Sequence, residues 1–470
     1  MKKFLMAGLL MALLALSGCA SMAPDYQRPA APVPGTWPTA AATDNATSAA
    51  ELPWREFFTD AQLRQVIELA LENNRDLRVA ALNIERAQAQ YQIREATLVP
   101  QVSATGAGSG QRTPADLSSS GSAIVSHRYS VGLGVSSYEL DLFGRVRSLK
   151  DQALAQYLAT EEARRSVQIG LVAETALGYL TLAADREHLA IARATLASRQ
   201  SSFDLSERRY AAGAASALDL NQARSGVEAA QVEIARYEGQ VAQDINALNL
   251  VVGSTLPDDL LAPDWATLRQ SLHNLSPGLP SDVLLNRPDI LQAEQLLQAA
   301  NANIGAARAA FFPRITLTGS LGTASAELSG LFKGGSGTWS FAPQVSVPIF
   351  DAGTNKANLK VAETDREIAL AQYEKAIQSA FSNVANALVN RDTIRRQLDA
   401  QMALTSTTAE SYQLAQVRFD KGIDSYLVVL DSQRALYSAR QNLVTTDYAR
   451  VSNLTTLYRV LGGGWDETPE

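Results

Sequence analysis

Cysteine is almost absent from this chain. Cys19 is the only one among 470 residues, which excludes an intramolecular disulfide. Histidine is nearly as scarce: His127, His188 and His273 lie far apart with no metal-ligand spacing, and they read as surface residues. There is no phosphate-cradling GxxxxGK loop, no HExxH zinc motif and no serine in a nucleophile elbow. Nothing therefore marks an enzyme, a metal centre or a cofactor site. A basic excess is lacking too. The formal net charge is −7, and a nucleic-acid partner would require basic patches. Beyond the N-terminal segment no stretch reads as apolar enough for a transmembrane helix. A chain that crosses a membrane without such helices must do so as a closed β-barrel, because open sheet edges cannot face lipid.

What is present begins at the N-terminus. Lys2 and Lys3 precede an apolar run over 4–16 that ends in Leu16-Ser17-Gly18-Cys19. The run is too short to span a bilayer and predicts a secretory signal peptide over 1–18. Its end resembles the bacterial lipobox, in which the cysteine is acylated and becomes the first residue of the mature chain. That makes Cys19 the expected lipidation site. Ala20 and Ser21 follow, and the lack of an aspartate there favours, by likeness to known lipoproteins, the outer membrane over the inner one.

The chain is also built twice. Residues 77–100, LRVAALNIERAQAQYQIREATLVP, align with 290–313, ILQAEQLLQAANANIGAARAAFFP. Each is preceded by an Asp-containing entry, Asn74-Arg75-Asp76 and Arg287-Pro288-Asp289. Further on, Arg209-Tyr210-Ala211-Ala212-Gly213 matches Arg418-Phe419-Asp420-Lys421-Gly422 at nearly the same offset. Two matches in one order mean a duplicated unit. The boundaries read as an N-terminal extension over 19–61, a first repeat over 62–260, a linker over 261–281, a second repeat over 282–462 and a tail over 463–470.

Each repeat predicts the same elements. A helical segment (62–98, then 282–312) ends at a proline. Two strand-like runs follow, parted by a Gly/Ser-rich loop. A long helix comes next (145–209, then 355–421), and after a glycine turn a return helix (216–250, then 425–461). The first long helix would span roughly 97 Å at 1.5 Å per residue. The strands alternate with period two: Tyr129, Val131, Leu133 and Val135 against Ser130, Gly132, Gly134 and Ser136, and again across Trp339 to Val347, with Pro343 as an irregularity. That alternation suits a lipid-facing wall around water, and equally a half-buried strand in a soluble sheet. Four strands cannot close a barrel with room for water. Several chains must therefore share one barrel, although geometry gives no copy number.

With Pro24-Asp25-Tyr26-Gln27-Arg28-Pro29, Trp54-Arg55-Glu56-Phe57-Phe58, Asn286-Arg287-Pro288-Asp289-Ile290, Pro348-Ile349-Phe350-Asp351-Ala352-Gly353 and both glycine turns in order, nearly the whole chain resembles the TolC-like outer-membrane efflux channels. It is closest to the lipid-anchored, OprM-like branch. The resemblance implies a membrane α+β fold with internal duplication: a homotrimeric, twelve-stranded transmembrane β-barrel, four strands per chain, continued by a long periplasmic α-helical barrel with a mixed equatorial region. It implies a passive exit duct for drugs and other small molecules. The implied partners are a periplasmic adaptor (membrane fusion) protein, an inner-membrane RND-type transporter and outer-membrane lipid.

Gly213 and Gly422 suit a turn that needs positive φ, and Ser216 and Ser425 stand where N-caps would start the return helices. The resemblance makes these four residues the adaptor-docking tips. Leu427 and Asp431, four apart and so on one helix face, match the family's periplasmic gate: a leucine ring that blocks by bulk and a carboxylate ring that gathers cations. Some relatives carry a second carboxylate where this chain has Val428 and a hydroxylated aromatic where it has Phe419. Phe419 cannot donate a hydrogen bond to Asp219, so Arg418 and Arg209 are the residues left to tie the tip. Other readings of a lipobox protein are a periplasmic adaptor lipoprotein, which would carry a single helical hairpin within β-rich domains, a lipid-anchored periplasmic enzyme or binding protein, and the outer-membrane channel of a type I secretion system.

Overall fold

The structure, a computed structural model, describes residues 21–37, 52–261, 264–273, 275 and 281–465. Cys19 lies outside the described residues. A series of helix, two strands, long helix and return helix occurs twice. First come α1 (Trp54–Phe57), α2 (Ala61–Asn73), α3 (Arg75–Ala96), β1 (Val102–Thr113), β2 (Ile124–Leu140), α4 (Arg145–Ala211) and α5 (Ala217–Val252). After α6 (Trp265–Leu268) come α7 (Pro288–Ala309), β3 (Arg314–Ser325), β4 (Gly337–Ser346), α8 (Thr354–Asp420) and α9 (Tyr426–Val460). The helix expected over 62–98 is split at Asn74. Its backbone is extended, its Oδ1 accepts from Leu77 N at 2.9 Å, and its Nδ2 donates to the Val251 carbonyl at 2.7 Å. An asparagine that caps a new helix outcompetes continuation of the old one.

The described residues form two compact units, to both of which α4 and α8 contribute. One comprises Asn83–Glu161 and Gln292–Tyr373 with the N-terminal segment up to Ala30; the other comprises Ala31–Leu82, Glu162–Leu291 and Glu374–Glu470.

The first unit holds one antiparallel sheet in the order β1-β2-β3-β4. Residues paired across strands share a face. Ala104, Leu133, Leu321 and Trp339 make one transverse row, and Ser103, Gly134, Ser320 and Ser340 the next, on the opposite face. On the second face the hydroxyls of Ser320 and Ser340 meet at 2.7 Å. On the first, Leu321 is 69% and Trp339 75% exposed, a surface that water would not tolerate over a whole sheet. Pro343 does not break the ladder: it sits opposite Leu317 in an unshifted register. The irregularity is elsewhere, a bulge between Val135 and Tyr138 with Ser137 at φ 55.

The N-terminal segment of this unit runs along α7. Arg308 Nη1 donates to the Met22 carbonyl at 3.3 Å and Asn301 Nδ2 to that of Pro24 at 2.7 Å. Arg28 Nε donates to Glu294 Oε1 at 2.8 Å, and Tyr26 Oη to the same oxygen at 3.1 Å. A Cβ at Gly305 would lie 2.6 Å from Ala23 N and from Ser148 Oγ, so only glycine lets the segment lie so close.

The second unit has an aromatic core. Phe57 stacks on Tyr458 at 4.0 Å, and Tyr458 Oη donates to the Leu52 carbonyl at 2.5 Å. Asp447, 2% exposed, accepts from Arg269 Nη1 at 2.9 Å and Arg450 Nε at 2.8 Å, which compensates its burial. Two sequence expectations change here. An 18-residue window of α4 is apolar and long enough to cross a membrane, but 67% of it is buried in the protein, so its apolar character serves packing. His188 is not a surface residue. It is buried, its Nδ1 is bonded to Gln441 Oε1, and its ring lies over Tyr237 at 5.2 Å. Burial holds its pKa below the usual value.

Three residues before His188, Asp185 is pushed up to about 7 by burial and by the neighbouring Asp244 carboxyl of α5; Arg236 pulls the other way. Asp244 Oδ2 is buried without an ordinary donor among the described residues. A proton on Asp185 supplies that donor. The folded state then binds a proton that the unfolded Asp releases near 3.9. Stability falls as pH rises from the unfolded to the folded pKa and levels off above about 7. Amide exchange of α4 and α5 around these residues is expected to quicken between pH 5 and pH 8 beyond its intrinsic pH dependence. Asp185→Asn, which carries the donor permanently, is expected to remove that excess.

Candidate functional site

The helical turns are built alike. At the end of α4, Gly213 N donates to the Tyr210 carbonyl at 2.9 Å and Ala214 N to that of Arg209 at 2.8 Å. At the end of α8, Gly422 N donates to the Phe419 carbonyl and Ile423 N to that of Arg418, both at 2.9 Å. This 5→2 and 6→1 pattern requires a left-handed residue at its centre, and Gly213 and Gly422 have φ of 71° and 72°.

The return helices start differently. Ser216 forms a full capping box: its Oγ accepts from Asp219 N at 3.1 Å, and Asp219 Oδ2 accepts from Ser216 N at 3.1 Å. Asp219 is thereby used within its own turn. Ser425 occupies the N-cap position of α9 but makes no side-chain cap bond. The preceding Asp424 instead accepts from Arg418 Nε at 2.6 Å and Nη2 at 3.1 Å, tying the end of α8 to the start of α9. The Arg418 guanidinium holds the Asp424 carboxyl below the usual carboxylate range.

Beneath the turns lies a small core of Ala223, Ala415, Tyr426, Val429 and Leu430, with Phe203, Tyr412 and Phe419 packed against it. It joins all four long helices. Phe419 makes its polar-type contact by its face: the Arg209 guanidinium lies 4.3 Å above its ring centroid. Farther along, buried Arg199 donates to the Gly226 carbonyl at 2.8 Å. Gln433 Nε2 donates to Ser198 Oγ at 3.1 Å, and that hydroxyl meets Tyr412 Oη at 3.0 Å.

Burial of Tyr426, Val429 and Leu430 turns the other side of α9 outward. Leu427 is 47% and Val428 43% exposed, and the Asp431 side chain is 63% exposed with Arg434 Nη1 at 3.6 Å. Leu427 and Asp431 do share a surface stripe, and Val428 borders it. Reading the sequence missed the Arg418–Asp424 tie and the packing of Phe203 and Tyr412. The tie spans a turn at a separation of six, outside helical spacing rules, and the core joins residues about two hundred positions apart.

The sequence matches the family profile described as "Outer membrane efflux protein" over residues 66–254 and 279–463. It is 50% identical over 456 residues to the antibiotic efflux pump outer membrane protein ArpC of Pseudomonas putida, covering 96% of this chain and 94% of that one. It is 50% identical over 460 residues to the toluene efflux pump outer membrane protein TtgI of Pseudomonas putida, covering 97% of each. Among solved structures, the open state of the Neisseria gonorrhoeae MtrE outer membrane channel superimposes with a TM-score of 0.86 at 38% identity, covering 95% of this chain and 99% of that one. The fold class is that of the trimeric TolC-like channels, to which each chain contributes a four-stranded sheet and long helices. The chain therefore belongs to the outer membrane efflux protein family, as a channel of the bacterial outer membrane.

Proposed function

We propose that this channel is the exit duct of a tripartite pump. An inner-membrane RND-type transporter and a periplasmic adaptor hand their cargo to it, and drugs or apolar solvents leave through it passively. The observation that carries this reading is the combination of an apolar-faced sheet with two open edges and a pair of matching helical turns in one chain. Efflux relatives named for antibiotics and for toluene support the cargo classes. An adaptor lipoprotein would carry one helical hairpin where this chain has two, and the pump names of the relatives favour drug efflux over protein secretion.

In this reading the turns at Gly213–Ser216 and Gly422–Ser425 receive the adaptor. Leu427 and Asp431 form threefold rings: leucine seals by bulk, and the carboxylates gather cations. The Arg209–Phe419 and Arg418–Asp424 contacts hold the tip in register, in place of a tyrosine hydrogen bond. Cys19 carries covalent lipid and no other group.

Leu427→Ala is expected to raise single-channel conductance in planar bilayers and to sensitise cells to vancomycin. Asp431→Ala should chiefly relieve block by divalent cations, and Val428→Ala should do much less than Leu427→Ala. A larger effect at Val428 would assign the gate to the neighbouring stripe. Gly422→Trp, which forces a side chain into the left-handed region, is expected to abolish efflux while trimers still assemble; wild-type efflux at normal expression would exclude docking there. Cys19→Ser should eliminate acyl labelling and leave conductance intact, and continued labelling would place the lipid elsewhere.

A further inference from the structure

The hydroxyl-bearing face of the sheet carries few charges. On the described strands they are Arg128, Glu139 and Arg314. Arg128 stands opposite Ser109, Glu139 opposite Thr316 and Arg314 opposite Ser346. Two of the three meet at the end of the sheet next to α3 and α4. Glu139 Oε1 accepts from Arg145 Nε at 2.8 Å, and its Oε2 accepts from Arg145 Nη2 at 2.7 Å and lies 2.7 Å from Arg314 Nε. One carboxylate thus serves two guanidinium groups. Beside them opens a recess of about 260 Å3, whose wall also includes Arg94, Tyr138 and Leu149. Arg94 has no carboxylate partner among the described residues. The recess therefore sets three fixed cations against one anion, with apolar surface at its side. Arg314 keeps 58% of its side chain exposed and Glu139 only 11%, so the open mouth presents guanidinium and not carboxylate.

We propose that this recess binds the anionic head of a small amphiphile, a sulfonate or carboxylate, with the apolar body against Val99 and Leu149. Guanidinium forks match such heads in shape as well as charge. In a closed barrel the face with hydroxyl groups surrounds the water, so three such sites ring the bore at the inner end of the sheet. The site gives the duct a preference for anionic cargo that an uncharged wall would not. This goes beyond the exit-duct role and needs only a conducting channel.

The test uses the full-length trimer in a planar bilayer, with naphthalene-1-sulfonate as the anionic probe and 1-naphthylmethylammonium as its cationic counterpart. The sulfonate is expected to reduce current saturably. Arg94→Gln and Arg314→Gln should each raise the half-blocking concentration about tenfold, the scale of one charge-assisted hydrogen bond. Glu139→Gln, which frees two guanidinium groups, should lower it. A structural role alone predicts weakening in all three variants. The ammonium probe should respond to none of them. Unchanged sulfonate block in Arg94→Gln and Arg314→Gln, or equal effects on both probes, would overturn the site. Arg94 holds no ion pair among the described residues, so its variant decides the matter even if Glu139→Gln fails to assemble.

Discussion

Backbone N–H and C=O groups cannot be left unpaired in hydrocarbon, and a sheet in the order β1-β2-β3-β4 leaves two rows of them, on the outer sides of β1 and β4. The apolar row from Ala104 to Trp339 commits one face of this sheet to lipid, so water cannot satisfy those edges. Only further strands can. Copies of the same chain supply them by pairing β4 of one with β1 of the next. The trimeric family fold follows from this constraint, and so does the duct, because closure puts the face with Ser103, Ser320 and Ser340 around water.

The helices solve a different problem. Residues of α4 and α8 lie in both units, and their ends are set by chemistry at single positions. The N-terminal segment lies against α7 because Gly305 has no side chain and because Glu294 takes both Arg28 and Tyr26. At the turns the two copies have diverged. The first is self-contained, with Ser216 and Asp219 capping each other. The second leaves Ser425 without a side-chain bond and spends Asp424 on Arg418. A duplicated hairpin has thus kept its glycine and changed how its return helix is tied. The less locally capped turn is the one that precedes Leu427 and Asp431.

Much of this was legible from the residues. Duplication, strand alternation, the long helices and the glycine turns rest on local periodicity and on residues with few conformational options, and these appear in one sequence. The split at Asn74, the bulge at Ser137 and the burial of His188 did not appear, because each depends on a partner far along the chain: Val251, Thr318 and Gln441. The apolar window of α4 was underestimated for the same reason, since a core helix and a membrane helix differ in what surrounds them and little in composition. At the tip, the stripe with Leu427 and Asp431 was readable from spacing. The Arg209–Phe419 and Arg418–Asp424 contacts could be named only as residues, without their partners.

The mass of the detergent-extracted assembly shows whether the edges close between chains, because one chain cannot satisfy them. Native mass spectrometry of conducting preparations is predicted to show a species of three chains and no conducting monomer. A monomeric species that carries the channel current would contradict the account, since four strands would then have enclosed water by themselves.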